Sequence, residues 1–455
     1  MRRFFMLLGT ALLAGPFLMA QQMEKPRGEQ QQPPGMLFYE AVTRASDDST
    51  LSRVDIPYRI DYEVFVPVKN NDTSVHWPFV RRGEVAIDLI DSVGVSRARA
   101  ISDVVVGQNS SERSLERKEW YQGVSSFLVP PGTYIIQIEL TDLESQRNFI
   151  EKREKVQAQA FPPSRFGIST PIFVEGDPGS RFPDTLTAQN FGGDLSFGSP
   201  GSLFFEVNGA TGHVEAIKVS WAINQVGKDK EEKKGVSRDS SARILTFPHA
   251  RIDTVYQESG IHYLIRQDSA SHLTGVLMPL PAEELPLRMY TLDLNVTAGA
   301  PEEHRTVTFR TVWPNMPFSL RDVDLALDAL RFIVTPEQLD SLKDGTFEER
   351  RDHLENFWKL RDKTPGTAKN ELMAEYYRRV DHAMRSFGTL RVPDGSRSDR
   401  GRIYVLYGPP TRMDRTLDPV AGFQETWIYE KLGKKFVFKD QSKSGNYVLS
   451  PSNGQ

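Results

Sequence analysis

Seven polar residues in the last quarter of this 455-residue chain have types and spacing that could do chemistry. They flank two loops rich in small residues, and loops on a rigid scaffold commonly carry binding sites. A cleft lined by arginine side chains would suit a carboxylate or phosphate ligand. The same side chains could instead cap helices and form ion pairs, which is the interpretation that the sequence favours. The candidate polar cluster comprises Arg361, Asp362, Asn370, Glu371, Arg379, Asp399 and Arg400.

Sequence signatures of enzymes are weak. The chain has no cysteine, so it has neither a cysteine nucleophile nor a disulfide. His353 and His382 lie in predicted helices, but Phe357 and Ser386 occupy the positions four residues later, so neither histidine has a metal-ligand partner there. The HExxH, GxSxG and P-loop patterns are absent. We therefore expect no metal site and no cofactor, and the sequence leaves open whether any reaction is catalysed.

The elements that position this cluster begin near residue 317, where the apolar period becomes helical. Thr335, Thr346 and Asn370 are in the right places to cap three helices, and Thr346 with Glu349 forms a capping-box pattern. Trp358 is expected to be buried on the second of these helices. Short strands then follow, with a hairpin turn at residues 432–433, and the segments are RIYVLYG, ETWIYEK, KKFVFKD and NYVLS. Helices followed by a small sheet predict an α+β domain over residues 316–455.

The region before this domain alternates with a period of two. A long half-buried strand is predicted from Val54 to Val66, and Pro57 suggests that this strand begins at, or runs along, a sheet edge. Short strands with turn signals and no convincing helix predict two antiparallel, Ig-like β-sandwich domains, over residues 36–160 and 161–315. The expected fold class is therefore multidomain: two β-sandwiches followed by an α+β domain.

Two segments in this β-rich region are alike. VPPGTYIIQIELTD and LPLRMYTLDLNVTAG both begin with an apolar residue and proline, and continue with a tyrosine and three alternating apolar residues. The likeness suggests an internal repeat of two sandwiches. Any strand that runs from an edge into a core could produce the same pattern, and the sequence leaves the two interpretations open.

The N-terminus predicts export. A basic start, Met1-Arg2-Arg3, precedes an apolar run from Phe4 to Ala20, which is the layout of a secretory signal peptide covering residues 1–20. Residues 21–35 are rich in Gln, Pro and Gly and predict a disordered linker. No later apolar run is long enough to span a membrane, so we expect no transmembrane segment in the mature chain. The net charge of −4 argues against a nucleic-acid partner.

Four stretches of the C-terminal region, FWKLRDKTPGTAKNE, EYYRRVDHA, SDRGRIYVLYGPP and ETWIYE, occur in an order typical of one family. Residues from about 335 to 450 resemble the GWxTD domain, found in exported proteins of several bacterial lineages. The name-giving segment is Gly395-Ser396-Arg397-Ser398-Asp399, so Ser396 and Ser398 replace the family's tryptophan and threonine. The resemblance implies a β-rich region followed by this domain, and it implies no established activity.

Together, these features predict an exported protein of the bacterial envelope, periplasmic or extracellular, of a non-catalytic binding or scaffolding type. The sandwiches would present the C-terminal domain to a protein or another envelope component. The alternative is a hydrolase-type enzyme with a site between the Pro-Gly loop, residues 363–367, and the Asp399 loop. The sequence indicates no substrate, no particular partner and no oligomeric state.

Overall fold

The computed structural model describes residues 36–71, 76–109, 119–209, 214–227, 233–257, 260–418 and 422–450. Within them, mainly antiparallel sheets form the region up to residue 312, and the α-helices lie between residues 323 and 407. This confirms the predicted fold class of β-sandwiches followed by an α+β part. The expected signal peptide and linker lie outside the described residues and stay predictions.

The first sandwich packs two sheets against each other. Its strands are β1 (Leu37–Tyr39), β2 (Val42–Ala45), β3 (Ser52–Asp61), β4 (Val68–Lys69), β5 (Phe79–Asp91), β6 (Ser96–Gln108), β7 (Trp120–Val129), β8 (Gly132–Asp142) and β9 (Asn148–Ala158). In one sheet β3 lies between β7 and the short pair β1 and β2; in the other the order is β6-β5-β8-β9, with β4 beside the start of β5. Alternate residues of β3, β5 and β8 form the core: Val54, Ile56, Tyr58, Ile60, Val85, Ile87, Leu89, Tyr134, Ile136, Ile138 and Leu140.

The second sandwich is larger. Its strands are β10 (Gly167–Ile168), β11 (Ile172–Glu175), β12 (Thr185–Thr187), β13 (Leu195–Ser196), β14 (Gly201–Asn208), β15 (Ile217–Val226), β16 (Lys233–Asp239), β17 (Leu245–Pro248), β18 (Ala250–Gln257), β19 (Gly260–Gln267), β20 (Leu273–Leu280), β21 (Met289–Ala298) and β22 (Glu302–Val312). One sheet has the order β10-β14-β20-β17 with β11 also on β14, and the other has the order β13-β22-β21-β15-β16. A three-stranded sheet, β12-β19-β18, is additional to these two.

The two sandwiches repeat one topology, which resolves the question that the sequence left open. The order β6-β5-β8-β9 in the first corresponds to β16-β15-β21-β22 in the second, and β3-β7 corresponds to β14-β20. The tyrosines of the two similar segments also make the same bond. The Tyr134 hydroxyl donates to Pro130 O at 2.8 Å, and the Tyr290 hydroxyl donates to Pro286 O at 2.9 Å. In both sandwiches the tyrosine ties the start of its strand to the carbonyl four residues earlier.

The predicted strand from Val54 to Val66 differs from the observed one in length and place. It ends at Asp61, whose carboxylate accepts the Glu63 N–H at 3.0 Å and opens a 3₁₀ turn. It is also central rather than at an edge, because β7 pairs with it along its whole length. Pro57 is tolerated there because it lies between the stretches paired with β1 and β2, where the ladder needs no N–H.

A polar residue of β3, Asp55, faces the second sandwich instead of solvent. Arg44 of β2 donates to Asp55 Oδ2 at 3.2 Å and to Glu206 Oε2 of β14 at 2.9 Å. It also donates to Thr254 Oγ1 at 2.8 Å and to Ile252 O at 2.7 Å, both in β18. Arg44, Asp55 and Glu206 are only 2%, 0% and 3% exposed. A buried ionic network therefore joins the two sandwiches.

Charges within this network support one another. Burial opposes the charge of Arg44, but the carboxylates of Glu206 and Asp55 raise its pKa above the ordinary value. Burial alone would raise the pKa of Asp55, but Arg44 and Arg53 hold it below its usual range. Arg53 Nε lies 2.8 Å from Asp55 Oδ1, and the Thr254 hydroxyl donates to Asp55 Oδ2 at 2.8 Å.

We predict that Arg44→Ala lowers the free energy of unfolding of the sandwiches by about 3–5 kcal/mol, since it leaves two buried carboxylates without their common partner. Denaturant unfolding measures this loss. The matched control is Arg251→Ala, because Arg251 bonds Asp47 and Asp268 at the rim of the same junction and is half exposed. The control substitution should lower the free energy of unfolding by less than about 1 kcal/mol. Equal, small losses in both variants would contradict a stabilising role for the buried network.

The C-terminal α+β module follows the second sandwich. Its elements are α1 (Val323–Ala329), α2 (Pro336–Lys343), α3 (Phe347–Lys359), α4 (Glu371–Ser386), α5 (Asp399–Tyr407), β23 (Arg412–Asp418), β24 (Gly422–Tyr429), β25 (Lys434–Asp440) and β26 (Val448–Leu449). The predicted caps Thr335, Thr346 and Asn370 are confirmed, each accepting a backbone N–H of the first turn. Trp358 is buried, and Gly433, at φ 60°, turns β24 into β25 as expected. None of the helices in the described part of the chain is long and apolar enough to cross a membrane.

The segment RIYVLYG is a helix, and its prediction as a strand was wrong. Ser398 Oγ accepts the Gly401 N–H at 3.0 Å and starts α5, and Gly408, at φ 76°, ends it. Apart from Leu406, its apolar residues are β-branched or aromatic, and they are too few to distinguish a helical period from a strand. The first strand of the sheet, β23, was missed because its sequence RMDRTLD lies at the surface and carries no apolar alternation.

Candidate functional site

Four residues of the candidate polar cluster lie around the loop between α3 and α4. Asn370 accepts the Met373 N–H at 2.9 Å, capping α4, and its amide donates to Trp358 O at 2.9 Å. Arg361 donates to Phe357 O at 2.8 Å and its guanidinium lies 3.6 Å from the centroid of the Phe357 ring. Asp362 and Glu371 both accept hydrogen bonds from Thr364, which fixes the start of the Pro-Gly loop.

The Pro-Gly loop docks on the second sandwich. Just beyond the loop, Ala368 N donates to Glu283 O at 2.7 Å. The Lys369 ammonium lies 5.9 Å from the centroid of the Trp313 ring, and the stem of Lys369 packs against Gly198. This segment therefore connects the module to the sandwich that precedes it.

The other three candidates lie elsewhere in the module. Asp399 is the first residue of α5, and its Oδ2 accepts the Leu449 N–H of β26 at 2.7 Å. Arg379 of α4 bonds Glu375 at 2.6 Å. The structure does not bring Asp399 into contact with Arg361 or Arg379, which the sequence allowed as partners. The seven candidates thus separate into a group at the α3–α4 loop, one residue on α4 and a pair at the start of α5.

Arg400 enters the core of the module. Its Nη1 lies 3.4 Å from Oε2 of the buried Glu425, and its guanidinium lies 4.1 Å from the centroid of the Tyr447 ring. Burial lowers the pKa of Arg400, and the charge of Glu425 partly offsets this. The indole of Trp427, which is fully buried, donates to Glu425 Oε1 at 2.6 Å. Trp427 therefore lies in the core of the module, and the ETWIYE segment contributes to its packing.

An ion network that the sequence did not reveal joins α1, α2 and the segment before α5. Asp328 accepts hydrogen bonds from Lys343 at 2.7 Å, from Arg397 at 2.8 Å and from Arg331. Asp394 bonds Arg331 at 3.2 Å and Arg397 at 3.1 Å. Burial opposes ionisation of Asp328, but its bond to Lys343 and the arginine charges hold its pKa below the ordinary value. Only two spacings of three residues, from Asp328 to Arg331 and from Asp394 to Arg397, could have signalled this network.

The segment that departs from the family pattern lies beside this network. Ser396, where the family has tryptophan, is buried; its hydroxyl donates to Asp394 Oδ1 at 2.6 Å and accepts from Arg331 at 3.1 Å. Ser398, where the family has threonine, keeps a hydroxyl and uses it to cap α5. A Cβ on Gly395 would lie 2.3 Å from Gly388 N, so a side chain cannot fit there.

A groove between α2 and α3 includes the candidate residue Arg361. Its volume is about 410 Å³, and it is lined by Val334, Glu337, Gln338, Ser341, Leu342, Phe357 and Arg361. The charged groups of this groove, Glu337 and Arg361, lie at the surface. Among the described residues, no group of three or more His, Asp or Glu side chains is placed to hold a metal ion.

We predict that Asp399→Ala lowers the free energy of unfolding of the module by about 1–3 kcal/mol, because it leaves the Leu449 N–H without its acceptor. Asp399→Asn keeps an acceptor oxygen and loses only the charge at the start of α5, so it should cost less than about 1 kcal/mol. Thermal or denaturant melting measures both. The matched control is Asp414→Ala on exposed β23, which should be nearly neutral. Wild-type stability in all three variants would defeat the structural assignment of Asp399.

Comparison with known proteins supports the resemblance seen in the sequence. The model of the GWxTD domain matches residues 292–453, from β21 through the C-terminal module. No curated protein matches the chain. A solved structure named BspA_C_mut is similar to 60% of this chain and 98% of its own, at 7% identity and a TM-score of 0.14. At so low a TM-score, the likeness carries no argument about fold or function.

Proposed function

From the membership of residues 292–453 in the GWxTD domain family, we propose that this chain is an exported bacterial envelope protein of a non-catalytic binding or scaffolding type. It acts in the periplasm or outside the cell, where the two sandwiches hold the C-terminal module in a fixed position for a protein or another envelope component. The signal-like N-terminus supports export.

One observation carries the proposal. Each of the seven candidate polar residues is engaged in holding the fold, through helix caps, loop turns, ion pairs or contacts between elements. Catalytic groups need to meet at one point within reach of a substrate, whereas these residues lie in three separate places. The structural roles of these seven residues therefore support the interpretation that the module is rigid and binds a partner through its surface.

The junctions between the modules also support a scaffolding role. The buried network of Arg44 joins the two sandwiches, and the bond of Ala368 to Glu283 joins the second sandwich to the module. Asp381 of α4 accepts the N–H groups of Phe318 at 2.6 Å and Ser319 at 3.1 Å, which fixes the connecting segment. Polar contacts at each junction restrain the relative motion that tandem domains otherwise have.

The alternative is a hydrolase-type enzyme with a site between residues 363–367 and the Asp399 loop. The contacts of the two segments do not favour it. Thr364 in the loop bonds Asp362 and Glu371, whereas Asp399 bonds β26. Catalysis is therefore an outcome that the experiment below can reveal rather than a second proposal.

We predict that protein isolated from the native envelope begins near Gln21, because the apolar run ends at Ala20. Mass spectrometry of the N-terminal peptide measures this directly. An intact Met1 in the envelope fraction would refute cleavage, and recovery of the chain only from the cytoplasm would refute export.

We further predict that chemical cross-linking in intact envelopes joins a partner to lysines of the module, such as Lys359 and Lys434, in preference to Lys155 and Lys218 of the sandwiches. If the sandwiches act as a scaffold and the C-terminal module binds the partner, the lysines of the module lie closer to the partner than those of the sandwiches. The wild-type chain cross-linked after detergent disruption of the envelope is the control, and its partner cross-links should decrease.

The enzyme alternative predicts a different result. The purified mature chain would convert an envelope extract measurably, and Asp399→Asn would abolish that conversion without changing the free energy of unfolding. That result, or cross-links confined to the sandwiches, would overturn the proposal.

A further inference from the structure

Strand β6 is a long strand at the edge of its sheet. It pairs with β5 over most of its 13 residues, and in the described part of the chain no second strand forms a backbone ladder with it. Its outward face exposes apolar side chains, with Ile101 55% and Val105 57% exposed. Exposed edges of this length are templates for pairing with another strand.

Backbone groups of the odd-numbered residues of β6 point to the open edge. The Asp103 carbonyl is directed away from β5, because it accepts the Tyr121 hydroxyl of β7 at 3.4 Å. On the other side of β5, the Arg82 carbonyl accepts the Leu143 N–H, so the backbone groups of the even-numbered residues of β5 point toward β8. The backbone groups of the odd-numbered residues of β5 therefore point toward β6, where they face the even-numbered residues of β6. Since backbone groups alternate along a strand, Arg99, Ile101 and Asp103 direct their N–H and C=O groups to the edge away from β5. The Asp103 carbonyl already accepts the Tyr121 hydroxyl there, and its second lone pair is left for the N–H group of a partner strand.

The side chains of these residues are self-complementary about Ile101. If β6 pairs antiparallel with its own copy so that Ile101 faces Ile101, then Arg99 of each chain faces Asp103 of the other. Opposite charges placed directly across an antiparallel pair stabilise it, and like charges destabilise it. A shift that centres the pair on residue 99 or 103 would instead place like charges opposite each other.

We propose that β6 is a dimer interface, in which residues 99–103 pair antiparallel with the same residues of a second copy of this chain. The two sheets then join into one, and every contact occurs twice, as a two-fold interface requires. The pairing is short because a register shift beside Leu89 and Ile90 leaves Arg97 outside the regular ladder. The bond of Arg99 to Asp88 at 3.1 Å can persist, since Asp88 lies on the neighbouring strand of the same chain.

A cysteine-free chain allows a direct test by single cysteines. Ile101→Cys should form a disulfide-linked dimer under mild oxidation, because directly opposed residues lie within the separation that a disulfide needs. Val105→Cys is the matched control on the same face. Two copies of residue 105 would be eight positions apart, about 26 Å, so this variant should stay unlinked. A mixture of Arg99→Cys and Asp103→Cys chains should link to each other.

Charge reversal tests the register independently. The wild-type chain should show twice the monomer mass by light scattering at high concentration. Asp103→Arg should shift it to monomer by placing two arginines opposite each other, and the double variant Asp103→Arg with Arg99→Asp should restore the dimer. Thermal melting of each variant verifies that the monomer is folded.

Three results would overturn the proposal. The wild-type chain could be a monomer throughout the concentration series. The dimer could persist in Asp103→Arg, which would place its interface elsewhere. Val105→Cys could link to itself as readily as Ile101→Cys, which would exclude the proposed register.

Discussion

The buried guanidinium of Arg44 is the interaction on which the arrangement of the sandwiches depends. It contacts a carboxylate from each sandwich, Asp55 and Glu206, and the backbone of β18 in the same network. Removing ions from water costs several kcal/mol each, and only well-placed partners offset that cost. The network is therefore satisfied in one relative placement of the sandwiches, which gives the junction its specificity, while apolar burial supplies most of its stability.

The same logic extends to the C-terminal module, where polar side chains also specify the arrangement of elements. Asn370 joins α3 to α4, Asp399 joins α5 to β26, and Arg400 joins α5 to the buried Glu425. Each of these contacts gives a partner to a polar group that would otherwise lack one: the Trp358 carbonyl, the Leu449 N–H and the Glu425 carboxylate. These polar residues of the segment that matches the family thus stabilise the architecture of the module.

The two serines that depart from the family pattern have different consequences. Ser398 retains the hydroxyl that caps α5, so the change from threonine preserves the local chemistry. Ser396 replaces a large aromatic ring by a small polar group, and Arg331 donates to its hydroxyl within the network of Asp328 and Asp394. The cap of α5 is therefore preserved, while Ser396, at the position where the family has tryptophan, is surrounded by charged side chains.

The sequence by itself determined the features that depend on neighbours a few residues away. The caps at Thr335, Thr346 and Asn370 and the two similar tyrosine segments are of this kind, because donor and acceptor lie within four residues of each other. The alternation of apolar residues likewise determined the sandwich class. Tertiary structure decided the rest. Asp55 is buried because a second sandwich covers β3, and the segment RIYVLYG is a helix whose residues Ile403, Tyr404 and Val405 pack into the core of the module. Asp399 and Arg400 are held by Leu449 and Glu425, which lie 50 and 25 residues away in the chain.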